Sequence, residues 1–188
     1  MQKKLKRKSK KSYNEKIFVA GSGGQGVLFL GKALFLTAVG NGYQATFFPS
    51  YGAEVRGGIT KCMVTVSTDK TATPIFQKPD SAIVLNDFSL KTYKNILSYC
   101  SQIILLQKEE KKVKPLTKRQ KIYTFSTRSV SQFENVRSAA LYCHFAKWFS
   151  KDDFLRALTH ILKQKKPDLI IKNREAFEES FAWSKRYL

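Results

Sequence analysis

The 188-residue sequence predicts an α/β fold: one domain with a mainly parallel sheet, helices on both faces and a helical C-terminus. Three observations predict it. Short strand-like runs alternate with stretches of helical spacing. Two of those runs, SAIVLN (Ser81–Asn86) and QIILLQ (Gln102–Gln107), are almost continuously apolar, as in strands covered on both faces. From Ser131 onward the pattern is helical alone.

The elements follow in order. Residues 1–14 read as a basic tail, and 15–188 as the domain. KIFVA (Lys16–Ala20) is β-branched and aromatic, a first strand. A glycine turn leads into a helix from about Gly24 to Val39 that is apolar nearly all round, which calls for cover from its own sheet and from another subunit. GNGY (Gly40–Tyr43) stops it, and YQATFF is a second strand. PSYGAEVRGG (Pro49–Gly58) is a loop, and ITKCMVTVS (Ile59–Ser67) a strand. SLKTYKNILSY has helical spacing between the two apolar strands, and KIYTFS (Lys121–Ser126) is one strand more. Val136, Ala139, Ala140, Tyr142, Cys143 and Ala146 keep a helical period. Ser150 with Asp153 has the spacing of a capping box, and Pro167 opens a last helix ending near Trp183.

GSGGQG (Gly21–Gly26) satisfies G-x-G-x-x-G between a strand and a helix, the context of a dinucleotide-binding turn and of a Rossmann-like domain. Such sites carry an acid at the end of the second strand to hold the ribose. Here that strand ends TFFPS, and the next acid, Glu54, lies in a different loop. A nicotinamide or flavin site is therefore disfavoured. Glycines that simply let helix pack on strand give the same pattern, so the turn alone leaves packing and anion binding both open.

Composition narrows the partners. The chain has 34 Lys+Arg against 14 Asp+Glu, a formal charge of +20. Residues 1–12 hold seven bases and no acid, and Lys108–Lys121 seven bases and two acids. A solvated tail and loop explain this; nucleic acid or another anionic partner is the alternative. Neither cluster has aromatics interleaved as a single-strand-binding groove would. No secretory signal and no apolar stretch of membrane-spanning length is read, and three scattered cysteines suit a reduced, cytoplasmic chain without a metal or iron–sulfur site. His144 and His160 sit in apolar helices with no nucleophile arranged beside them, so no catalytic residue is assigned. No G-D-G followed by Asn is present, so the usual magnesium–diphosphate motif is missing.

PSYGAEVRGG combines Tyr51, Glu54 and Arg56 with paired glycines; a surface ion pair with turn glycines is its plain reading. Taken together, Gly21–Val27, Pro49–Gly58, the β-rich run after them and TPIFQKPDSAIVLN (Thr73–Asn86) resemble the gamma subunit of 2-oxoacid:ferredoxin oxidoreductases. The likeness extends over about Lys16 to Asn86, and KCMV with VLFLGKAL looks most like the 2-oxoglutarate type. The second half departs: NVRSAALYCHF, from Asn135, stands where the family has N-M-x-x-L-G-A, although KNREAFEESF (Lys172–Phe181) restores the usual ending.

The resemblance implies a subunit of an enzyme that oxidatively decarboxylates a 2-oxoacid to acyl-CoA, carbon dioxide and reduced ferredoxin. Thiamine diphosphate, Mg2+ and iron–sulfur clusters would sit on companion alpha and beta subunits and a ferredoxin-like delta subunit, with ferredoxin as acceptor. This chain would be scaffold and interface. Gly21, Gly23, Gly24, Gln25 and Gly26 would present N–H groups to an anion, part of coenzyme A first among them. Ser50, Tyr51, Gly52, Glu54, Arg56, Gly57 and Gly58 would form the interface loop. Arg56 would either pair with Glu54 or reach a phosphate or carboxylate across that interface.

Overall fold

The computed structural model describes residues 12–50, 58–69, 73–109, 111, 113–126, 132–163 and 167–185. Six strands form one sheet: β1 (Asn14–Ser22), β2 (Gln44–Ser50), β3 (Ile59–Ser67), β4 (Ser81–Val84), β5 (Gln102–Gln107) and β6 (Lys121–Ser126). The helices are α1 (Val27–Gly40), α2 (Asp87–Thr92), α3 (Lys94–Leu97), α4 (Glu134–Cys143), α5 (Lys151–Leu162) and α6 (Pro167–Ser184).

The strand order is β2-β3-β1-β4-β5-β6. The β1–β4, β4–β5 and β5–β6 pairs are parallel, and β3 runs antiparallel to both of its neighbours. The sheet is thus parallel in its larger part, as expected, with one reversed strand wedged between β1 and β2. That wedge also removes the geometry of a dinucleotide site, in which the second strand lies beside the first.

Alternation along the strands sends side chains to two cores. Ile17, Val19, Ile83, Leu85, Ile104 and Leu106 face the layer of α1, α4, α5 and α6. Phe18, Ala20, Ala82, Val84, Ile103 and Leu105 face α2 and α3 through Leu90 and Leu97. Helices therefore cover both faces, unequally. Within the chain, α1 packs on β1, β2 and β3 and beneath α4 and α5, while Val39 stays 47% exposed. Leu28, Phe29 and Phe35 lie partly buried against this core.

Several boundaries shift for physical reasons. The helix expected from Gly24 starts at Val27, because Gly24 and Gly26 hold φ of 90° and 75°, outside helical space. The run ending at Asn86 stops as a strand at Val84, and Asn86 caps α2 instead, its Oδ1 accepting from Ser89 N at 2.7 Å. The helical stretch after it is two short helices broken at Tyr93. β1 opens at Asn14, the last residue assigned to the tail; residues 1–11 lie outside the described residues. The capping box at α5 forms as expected between Ser150 and Asp153.

At the amino edge of the sheet Glu15 ties three elements together. Its carboxylate accepts hydrogen bonds from Tyr142 Oη at 2.6 Å, Ser81 Oγ at 2.8 Å and the Tyr13 hydroxyl. Burial, reinforced by that carboxylate, holds the Tyr142 hydroxyl far above the usual phenol range, so it donates and stays neutral. Among the described residues no helix is long and apolar enough to cross a membrane.

Candidate functional site

α1 follows β1 onto one face of the sheet, and α2 follows β4 onto the other. Since β1 and β4 are adjacent and parallel, their carboxyl ends part at a switch point, where an open α/β sheet leaves a crevice. A groove of about 670 Å³ occupies that position, within the usual size range for small-molecule sites. Ser22 and Gln25 of the glycine turn, with Glu134, form one wall, and the polar ends of β4 and β5 form the other.

The turn is held by its own amide groups. Gln25 N–H donates to Ser22 O at 3.1 Å, and Gly23 N–H to Gly58 O at 2.9 Å. Those two N–H groups are therefore spent inside the chain. Gly21 lies in β1 opposite Thr60. The N–H groups of Gly24 and Gly26 have no partner among the described residues, and Gly26 caps α1 without a side-chain bond. A helix start in this condition, with no acid in its first turn, is suited to an anion.

Gln25 does a job its position in the motif does not announce. Its Oε1 accepts from Ser22 N at 2.8 Å and from Asn86 Nδ2 at 2.6 Å. Its Nε2 donates to Leu85 O at 2.9 Å and to Glu134 Oε2 at 3.1 Å. One carboxamide thereby joins β1, β4 and α4 at the floor of the groove. Asn135 completes the joint from α4: its Nδ2 donates to Gly26 O at 3.3 Å. Phe133, with φ of 60°, launches α4 from the left-handed region, which costs about 1 kcal/mol and aims Glu134 and Asn135 at the turn. The segment that departs from the family pattern therefore keeps contact with the glycines. Ala139 and Ala140 from the same segment are fully buried in the core.

Of the second loop, Ser50 ends β2 and Gly58 precedes β3, both at the carboxyl edge. Tyr51, Gly52, Glu54, Arg56 and Gly57 lie outside the described residues. The Gly23–Gly58 hydrogen bond nevertheless brings the two family motifs together at one end of the sheet. Asn86, Asp87, Gln107 and Glu134 were missed from sequence. Their signal was a polar residue closing an apolar strand run, at Asn86 and Gln107, which marks a carboxyl strand end.

The groove carries charges of both signs. Asp87 Oδ1 accepts from Gln107 Nε2 at 2.9 Å, and Glu134 is held by Gln25. Lys111 pairs with Glu109 at 3.2 Å on the surface, and Lys108 is exposed at the rim. Neither histidine lines it. His144 accepts or donates toward Ser184 Oγ at 2.6 Å and stacks on Phe181, and burial lowers its pKa. His160 is exposed on α5.

A family profile described as pyruvate ferredoxin/flavodoxin oxidoreductase matches residues 16–183. The chain belongs to that family. As a pyruvate ferredoxin/flavodoxin oxidoreductase family member, it is 37% identical over 78 residues to ketoisovalerate oxidoreductase subunit VorA of Methanothermobacter thermautotrophicus, covering 42% of this chain and 16% of that subunit. It is 34% identical over 92 residues to 2-oxoglutarate synthase subunit KorC of Methanothermobacter marburgensis, covering 48% of this chain and 50% of that subunit. These matches span half or less of either relative's length.

Solved structures share the fold of this family member. One is a 2-oxoglutarate:ferredoxin oxidoreductase from Magnetococcus marinus with 2-oxoglutarate, coenzyme A and succinyl-CoA bound, with TM-score 0.75, 16% identity, and 94% of this chain and 32% of that one covered. Another is a keto/oxoacid ferredoxin oxidoreductase gamma subunit from Geobacter sulfurreducens, with TM-score 0.68, 20% identity, and 92% and 99% covered.

The residues do not fit an iron–sulfur cluster. Cys62 and Cys143 are buried in one core cluster and Cys100 in the other, on the opposite face of the sheet, and burial pushes the thiols of Cys100 and Cys143 up to about 12. Among the described residues, no three His, Cys, Asp or Glu side chains gather as a metal site.

Proposed function

We propose that this chain is the gamma-type subunit of a cytoplasmic, thiamine-diphosphate-dependent 2-oxoacid:ferredoxin oxidoreductase, with 2-oxoglutarate as the substrate. Its companions are the alpha and beta subunits, a ferredoxin-like delta subunit, and ferredoxin as electron acceptor. The observation that carries this reading is the family match over residues 16–183, with Gly23 and Gly58 of the two family motifs hydrogen-bonded at the sheet's carboxyl edge. The likeness to KorC supports 2-oxoglutarate, and the likeness to VorA makes 2-oxoisovalerate the competing substrate.

Coenzyme A fits the groove in donor chemistry. The ammonium groups of Lys108 and Lys111 in the groove, with the N–H groups of Gly24 and Gly26 in the adjoining turn, which have no partner among the described residues, would receive its phosphates. When bound, its thiol supplies the acceptor of the acyl group. Gln25 and Asn135 keep the turn open toward it, while Gln107 and Gln25 hold Asp87 and Glu134 in fixed orientation. The chain's contribution is binding and positioning.

Co-expression with the companion subunits tests this. The complex should reduce a viologen dye with 2-oxoglutarate and coenzyme A, faster than with pyruvate or 2-oxoisovalerate; the chain alone should give no turnover. Arg56→Ala should raise the KM for coenzyme A or lower kcat about tenfold or more, the scale of one lost charge-assisted contact. Turnover by the isolated chain, or a complex equally active without it, overturns the reading.

A further inference from the structure

We propose that the amino edge of the sheet, opposite the groove, is a binding surface for single-stranded nucleic acid. The positive charge of the chain is not spread evenly. Residues 113–121 hold four bases and no acid, whereas residues 132–163 and 167–185 together hold eight bases and seven acids. In the helical layer four of those eight bases are paired, in Arg137–Glu179, Lys151–Glu178, Arg156–Asp153 and Arg174–Glu178. On the other flank Lys78, Lys94, Lys118, Arg119 and Lys121 are exposed and form no ion pair among the described residues.

Backbone contacts gather these bases. Gln120 Nε2 donates to Leu97 O at 2.8 Å and Cys100 O at 2.9 Å, fixing the Lys118–Lys121 turn against the end of α3. Lys121 N donates to Ser101 O, and Ser101 N to Asp80 O, both at 2.9 Å. Tyr99, two residues before Ser101, is 56% exposed, with Lys78 Nζ 5.3 Å from its ring centroid. The carboxylates nearby are engaged or few: Asp80 Oδ2 accepts from Lys16 N, Glu15 holds three hydroxyls, and Asp69 is exposed at the end of β3. The chain enters β1 at this same edge, directly after residues 1–11 with their seven bases and no acid. Lys78 and the Lys118–Lys121 turn, about forty residues apart in sequence, therefore lie at one edge of the sheet.

An exposed aromatic ring with an ammonium group over it, beside a turn of further exposed bases, is the chemistry that stacks a base and follows its phosphates. Protein interfaces are depleted in lysine, so a lysine-dominated surface favours a polyphosphate backbone over an acidic protein. Binding here leaves the carboxyl-edge groove free and does not depend on the reading above.

The probe is a labelled mixed-sequence 20-nucleotide DNA strand, titrated against the full chain at several salt concentrations, beside a polyglutamate of equal charge. Affinity for the strand should fall steeply with salt. Replacing Lys78, Lys118, Arg119 and Lys121 by alanine should flatten the log–log slope by about 3, at roughly 0.7 per lost phosphate contact. Tyr99→Ala should weaken binding about tenfold at unchanged slope. Each variant's melting curve and its assembly with companion subunits serve as controls. No binding overturns the proposal, as does polyglutamate binding as tightly as DNA with no effect of Tyr99→Ala. Binding that survives the fourfold variant but vanishes on deleting residues 1–11 overturns it too.

Discussion

A methyl group added at Gly26 would lie 2.3 Å from Asn135 Nδ2, on a backbone with φ of 75°. At Gly24, φ is 90° but an added methyl meets nothing within 4 Å. The two substitutions to alanine thus separate backbone strain from steric clash. Gly24→Ala should cost about 1 kcal/mol, and Gly26→Ala about 2–4 kcal/mol, because the second also dislodges the Asn135 bond to the turn. Thermal unfolding of both variants checks the ranking; equal midpoints would mean that Asn135 yields freely. The glycines themselves were legible in the sequence, since their spacing between strand and helix has few other uses. The role of Gln25 was not. Its partners Leu85 and Glu134 stand 60 and 109 residues away, and nothing local to GSGGQG specifies them.

The capping box of α5 is an element-scale feature that sequence and structure share. Asp153 is partly buried, which by itself would raise its pKa. The Ser150 N–H and hydroxyl, with Arg156 beside it, outweigh that and hold the carboxyl below the usual range. A depressed pKa contributes stability that is complete above the unfolded value, about 4, and disappears as pH falls through the folded one. Ser150→Ala should therefore cost about 1 kcal/mol at neutral pH in urea unfolding, and that deficit should shrink below about pH 4. A gap constant down to pH 2 would assign the loss to the hydroxyl alone. Strands β3, β5 and β6 were legible to the residue because their composition is β-branched and apolar over short, bounded runs. The break at Tyr93 and the left-handed start of α4 at Phe133 were not, since both are set by what the helices pack against.

At the scale of the whole molecule, the alternation of elements was enough to read an α/β sheet, and two loop motifs enough to read its family. The order of strands was not legible, because β1, β2 and β3 could pair in several ways that bury the same apolar faces. The reversed β3 between β1 and β2 has a consequence for how the chain is made. In an ordinary strand–helix–strand unit the first two strands are neighbours and can close while the rest is still being translated. Here β1 and β2 leave a gap one strand wide, filled only by Ile59–Ser67. Ribosome-bound chains stalled with Ser50 just outside the exit tunnel should remain protease-sensitive, whereas protection of the first half should begin once Ser67 has emerged. Protection at the earlier stall would show that α1 alone holds the two strands apart. Otherwise the growing chain must carry the sheet-facing apolar surface of α1 uncovered until its third strand arrives, a window in which that surface is open to aggregation.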